Sequence, residues 1–157
     1  MKPPRDCPCG SLARYADCCG PLHAGVREAE TPVALMRSRY AAFALGLGEY
    51  LVKTLAAAHP DRATPRAALV RALSRAKDTQ RYLALRILHT ATRGDEGEVL
   101  FHAKVFEKGA DRSFAELSTF AKEDGGWRYV DGLLVPGAQL PKDLDGLTRE
   151  AFVALAG

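Results

Sequence analysis

Beyond residue 19 this 157-residue chain contains no cysteine, and it has a single tryptophan and only two methionines. The absence of thiols from residue 20 onward excludes a disulfide framework for the body of the protein, which must therefore be held by an apolar core. No apolar run approaches the ~20 residues of a membrane-spanning helix, and no repeat or low-complexity segment occurs. Met1-Lys2-Pro3-Pro4-Arg5-Asp6 lacks the apolar stretch of a secretory signal, so a reducing, cytoplasmic setting with no membrane partner is expected. The net charge of +3 is too small to indicate nucleic-acid binding by itself. What remains, 47% hydrophobic and 26% charged residues, fits one globular domain with a small appendage.

All four cysteines fall in that appendage: Cys7, Cys9, Cys18 and Cys19. Four soft thiolates close together suit a tetrahedral ion, and zinc is the expected one because it is redox-inert and accepts four sulfurs. Two disulfides would be strained, since Cys18 and Cys19 are adjacent and Cys7 and Cys9 nearly so. Redox thiols remain an alternative, although the usual Cys-x-x-Cys spacing is missing. His23 is a reserve ligand should Cys18 and Cys19 fail to reach one ion together; otherwise it reads as a surface residue after the Gly20-Pro21 turn.

Charge is unevenly spread. Residues 31–93 carry eleven basic and three acidic side chains, whereas residues 94–157 carry seven and twelve. The pattern of elements changes at about the same place. Residues 1–30 are rich in Pro and Gly and show no period, which marks a loop-rich metal module and linker. Thr31-Pro32 is a cap and first-turn pair, and Met36, Tyr40 and Phe43 then recur at helical spacing until Gly46-Leu47-Gly48. A second helix is predicted over Glu49 to Ala58, and a third from the Thr64-Pro65 cap to about Lys77. Strands follow at 81–93, 99–106, 113–122 and 127–130, separated by turns at Gly94, Lys108-Gly109 and Asp124-Gly125-Gly126. Helices followed by an antiparallel meander make an α+β fold. Residues 136–157 read as peripheral, with a short helix from Thr148 to Leu155.

Several motifs carry a resemblance. Cys7-Pro8-Cys9-Gly10-Ser11, Arg14-Tyr15 and Cys18-Cys19-Gly20 resemble the SEC-C zinc motif of the SecA translocase tail. Together with Leu35-Met36-Arg37-Ser38-Arg39-Tyr40-Ala41-Ala42-Phe43, His59-Pro60 and Trp127-Arg128-Tyr129-Val130-Asp131-Gly132, the chain is similar to the YchJ family of bacterial proteins over residues 5 to 135. The resemblance implies a zinc module over 1–27, a cone-shaped domain like nuclear transport factor 2 over 28–136, and an extension over 137–157. In that cone, three helices pack on a curved antiparallel sheet. Two departures stand out. Gly10-Ser11-Leu12-Ala13-Arg14-Tyr15-Ala16 replaces the SecA-type Gly-Ser-Gly-Lys-Lys-Tyr-Lys, so the basic contact of SecA with its acidic SecB chaperone is not carried over. Thr54-Leu55-Ala56-Ala57-Ala58-His59-Pro60 replaces Thr-Trp-His-Pro, removing an aromatic from the expected pocket wall.

A cone leaves a cavity at its wide end, and Arg37, Tyr40, His59, His89, His102, Glu116 and Trp127 are the candidates to line it. His89 and His102 are expected to pair across neighbouring strands without chemistry. Arg37 and Arg39 lie on different faces of the first helix; one is expected to turn inward, tied to a carboxylate such as Glu98, Glu107, Glu116 or Asp131, or else to clamp an anion. Asp131 before Gly132 reads as a turn former. No nucleophile–base set emerges. The expectation is a zinc-binding adaptor that meets a macromolecular partner through its cysteine module, beside a cone that supplies a second contact or holds a small ligand. The alternatives are a hydrolase or isomerase acting in the cone, and a nucleic-acid or ribosome-associated binder using the basic helices.

Overall fold

The computed structural model describes residues 2–157. Its central helix shows how the layers arise. Thr31 Oγ1 accepts the Ala34 N–H at 3.0 Å, Pro32 occupies the first turn, and Gly46 ends the helix at φ +74°. Between them α2 (Pro32–Leu45) is buried on more than one side; the short α1 (Gly20–His23) precedes it. Met36 and Tyr40 face the sheet, whereas Ala41 packs against the cysteines. The helix is therefore a spine between the N-terminal module and the cone.

After α3 (Gly48–Lys53) the chain leaves the helical path earlier than predicted. Residues 54–56 spend their backbone groups on a distant strand instead: Tyr129 N–H donates to Thr54 O, and Ala56 N–H donates to Tyr129 O, each at 2.8 Å. The third predicted helix is likewise shorter and split, into α4 (Arg66–Ser74) and α5 (Ala76–Thr79). Thr64 does not cap it. Preceding a proline, Thr64 is held extended at ψ 139°, so Pro65 becomes the residue before the helix.

The sheet is antiparallel in the order β1 (Gln80–Arg93), β2 (Glu96–Glu107), β4 (Phe114–Glu123), β5 (Gly126–Pro136), with the two-residue β3 (Ala110–Asp111) beside β2. Two of its hairpins close with paired positive φ values, +50° and +80° at Lys108-Gly109, +51° and +81° at Asp124-Gly125. That is the signature of the two-residue type I′ turn, whose twist matches the strands. Register shifts at Tyr82/Ala84, Ile87/His89 and Thr119/Phe120 bend the strands into a curve. β5 runs six residues beyond the predicted end. Asp131 and Gly132 are inside it rather than in a turn, because they stay paired with Thr119 and Ser118 of β4, and glycine stands at 132 because a side chain there would collide with the Glu116 carboxylate and the Tyr129 hydroxyl.

Alternation then assigns the two faces. Val99, Phe101, Ala103 and Val105 meet the helices, as do Phe120 and Trp127. Leu100, Ala115, Leu117 and Val135 point the other way, where Leu147 and the fully buried Phe152 of α6 (Arg149–Ala156) cover them. The C-terminal stretch is thus a third layer rather than a peripheral tail, since four buried apolar groups on the outer face need a cover. Among the described residues, no helix is long and apolar enough to cross a membrane.

Candidate functional site

Two features stand out, one on each side of α2. The first is the cysteine cluster. Backbone bonds fold the loop on itself: Cys7 N–H donates to Ala13 O at 3.0 Å, Tyr15 N–H to Arg5 O at 2.9 Å, and Cys18 N–H to Tyr15 O at 3.1 Å. Gly10 at φ +81° makes the turn between the halves. As a result the Sγ atoms of Cys7, Cys9, Cys18 and Cys19 all lie within 4.8 Å of one another. Cys9–Cys18 and Cys18–Cys19 are 3.6 and 3.9 Å apart. A tetrahedral ion with metal–sulfur bonds of about 2.3 Å requires edges of about 3.8 Å. The four free thiols, three of them buried, fit a metal with no rearrangement of the fold.

Without an ion the thiols share protons. Hydrogen bonds from Cys19 and Cys7 hold Cys9 below the ordinary thiol range, whereas bonds to Cys7 and Cys9 push Cys19 above it. A cation would replace those protons, drawing every sulfur to the thiolate.

His23 stands apart from the four-sulfur cluster and is half-buried rather than on the surface. Its Nε2 donates to Ser38 O at 2.8 Å, which leaves Nδ1 to accept the Tyr15 hydroxyl at 2.6 Å. The ring also meets Tyr50 edge-on, with centroids 4.7 Å apart. Burial lowers its pKa, in keeping with a neutral ring whose two nitrogens are both engaged. This residue ties the cysteine loop to α2 and α3. Arg37 is a second tie: its Nη1 donates to Cys9 O at 3.0 Å. A helical step of two residues rotates by about 200°, so Arg37 faces the cysteines while Arg39 faces the cone.

The second feature is a cavity of about 250 Å³ between α2, the chain around His59, and the concave sheet. Of the predicted lining residues, the structure brings Tyr40, His59 and Glu116 together there. It does not bring Arg37, His89, His102 or Trp127. His102 points to the outer face, opposite Arg86 in register, while His89 is opposite Leu100; the two are not partners, because the hairpin that pairs Arg93 with Glu96 sets a register that runs unbroken to His89 and Leu100. His89 instead meets Glu98 at 2.9 Å, and Glu98 also accepts from Arg149 Nε at 2.5 Å. Trp127 is 3% exposed in the core and donates to Glu30 O.

Inside the cavity Glu116 Oε2 accepts the Ser118 and Tyr129 hydroxyls at 2.5 and 3.0 Å. His59 Nδ1 accepts the Asp61 N–H at 3.0 Å, which spends the lone pair a general base there would use. Arg39 is inward, as expected of one arginine, but forms no ion pair with a sheet carboxylate. Its Nη1 donates to Leu51 O and Thr54 Oγ1 at 2.8 and 2.6 Å, and its guanidinium sits 4.8 Å from the Tyr129 ring centre. The strand β4 supplies Phe114, Glu116, Ser118 and Phe120 in strict alternation, a period-two signal readable in the sequence that would have marked this wall.

Comparison with known proteins accords with both features. The chain matches the model "YchJ, middle NTF2-like domain" over residues 31–132 and the SEC-C motif over residues 6–21. A UPF0225 protein of Deinococcus radiodurans is 43% identical over 129 residues, 82% of this chain and 89% of the relative. A SEC-C motif containing protein from Rhodopseudomonas palustris, solved in solution, superposes with a TM-score of 0.69 at 39% identity, covering 81% of this chain and 96% of that one. Another from Psychrobacter arcticus gives 0.66 at 27% identity, with 81% of each chain covered.

Proposed function

The chain belongs to the YchJ family, and from that premise we propose that it is a zinc-organised adaptor: Cys7, Cys9, Cys18 and Cys19 hold one Zn²⁺, and the loop they shape contacts a macromolecular partner beside a cone that takes a small ligand. An all-sulfur donor set favours zinc over the hard cations, which prefer oxygen. Four thiolates would fill the shell, so the ion's role is structural and leaves no open position for a substrate. The loop has almost no apolar core apart from the sulfurs against Ala41 and Tyr15. Metal binding would supply its folding free energy.

The observation that carries the contact role is Leu12. It is 98% exposed and sits at φ +69°, in the left-handed region, where the SecA-type loop has glycine. Such a conformation costs a non-glycine residue roughly 1–2 kcal/mol. An apolar side chain placed there gains from a partner that covers it. Arg5 and Arg14, both exposed, share the same loop. The reading is tested by cross-linking and mass spectrometry of partners captured by the wild-type chain, by Leu12→Asp, and by Cys7→Ser/Cys18→Ser. Loss of the same partner in both variants supports the adaptor. An unchanged partner set, with the cone still folded by circular dichroism, refutes it.

A further inference from the structure

The cone cavity encloses a cation that no carboxylate contacts directly, although Glu116 and Asp61 on the same wall act on it at longer range. Arg39 is 8% exposed, yet among the described residues no carboxylate lies within 4 Å of its guanidinium. Its two protein bonds go from Nη1 to neutral oxygens of Leu51 and Thr54, and neither Nε nor Nη2 has an acceptor. Burial lowers the pKa only to about 10, so the group stays charged at neutral pH. Tyr40, 5% exposed, borders the same cavity, but its hydroxyl lies toward the Ala84 backbone of β1, which is not part of the cavity wall. The free Nε and Nη2 of Arg39 are not sealed in the core but open to the cavity, where an acceptor brought by a ligand would complete them.

We propose that the cavity binds a small monocarboxylate with an apolar body, the carboxylate being taken by the free edge of Arg39. This deepens the ligand-binding half of the proposed function and does not depend on the cysteine loop. A guanidinium edge with two free N–H groups matches a planar carboxylate, which can accept both. Met36, Phe43, Leu73, Phe101, Phe114 and Phe120 form the remaining wall and receive the apolar body. The acidic groups on the cavity set the upper limit on ligand charge. Glu116 is already satisfied by two hydroxyls, and Asp61 lies nearby, so a dianion such as a phosphate monoester meets about twice the repulsion that a monoanion does. A volume of about 250 Å³ suits a metabolite-sized acid rather than a larger ligand.

The test is a ligand-observed NMR titration of the full metal-loaded chain with phenylacetate and 3-methylbutanoate, against phenylacetamide, 3-methylbutanamide and phenyl phosphate. At least one acid is expected to bind, with its amide about tenfold or more weaker, the worth of a charge-assisted bond, and phenyl phosphate weaker than phenylacetate. Arg39→Gln, checked by circular dichroism, is expected to abolish the preference for acid over amide. Should that variant fail to fold, the acid-to-amide ratio in the wild type decides alone. Equal binding of acid and amide, tighter binding of phenyl phosphate, or no binding of either acid at millimolar concentration overturns the proposal. Because the titration reads only the cavity, such a result leaves the adaptor reading standing, and a failure of partner capture leaves this one standing.

Discussion

Replacing Phe152 by Ala should destabilise the whole protein, although the residue lies six positions from the C-terminus. Its ring is fully buried against Leu100, Leu117, Val135 and Leu147 on the outer face of the sheet. Losing the transfer free energy of such a side chain costs about 2–3 kcal/mol. A void of roughly 80 Å³, at about 24 cal/mol per Å³, adds about 2 kcal/mol if nothing relaxes. The helix that carries it has only eight residues, so partial collapse is easy and the lower part of the range applies. A loss of about 3–4 kcal/mol is therefore expected, or a fall in Tm of roughly 6–16 °C at 2–4 °C per kcal/mol. Urea unfolding followed by circular dichroism, with thermal melts in parallel, reads it directly. Bound metal should be unchanged, because the cysteines lie beyond α2 on the other side of the sheet. A loss under about 1 kcal/mol would refute the third layer and return these residues to the status of a loose tail.

Other outcomes follow from single contacts. Tyr40→Phe removes a buried hydroxyl that lies close to the Ala84 backbone without reaching hydrogen-bond geometry, and should leave stability within about 1 kcal/mol of wild type; a larger loss would mean the hydroxyl is satisfied. His23→Ala should increase hydrogen exchange across residues 6–24 while the metal is retained, since the ring ties the loop to Ser38 and Tyr15 without joining the sulfurs; loss of the metal would make it a ligand. Burial pushes the Glu98 carboxyl up, but hydrogen bonds from Arg149 and His89 outweigh it and hold the pKa below the ordinary range. A depressed carboxylate contributes stability above the unfolded pKa of about 4.3, and that contribution fades as pH falls through the lower folded value. Glu98→Gln should therefore cost about 1 kcal/mol at neutral pH, given an Arg149 that is 41% exposed, and flatten the stability loss below about pH 4.3. An acid limb identical to wild type would contradict this.

The legible parts of the fold were those written in local chemistry. Thr31-Pro32 and Gly46 bracket α2 because caps and left-handed turns act within a few residues, and the hairpin turns announce themselves the same way. The cysteine cluster was readable because sulfur has few other uses at that density. What escaped was set by distant partners. Helix α3 stops early because β5 offers its backbone to residues 54–56, which nothing in Leu55-Ala56-Ala57 announces. Arg37 and Arg39 look equivalent in sequence, and only the placement of the cysteine loop on one side of α2 separates their roles. Residues 136–157 read as peripheral, with a short helix near Thr148, yet Leu147 and Phe152 suffice to cover a sheet face.

The N-terminal module depends on four sulfurs sharing one ion. Elemental analysis of freshly reduced protein, with X-ray absorption at the metal edge, measures this without intermediaries. One zinc per chain, in a shell of four sulfurs at about 2.3 Å, is the predicted result. A chain that folds with no stoichiometric metal, or a shell containing a nitrogen in place of a sulfur, would contradict it.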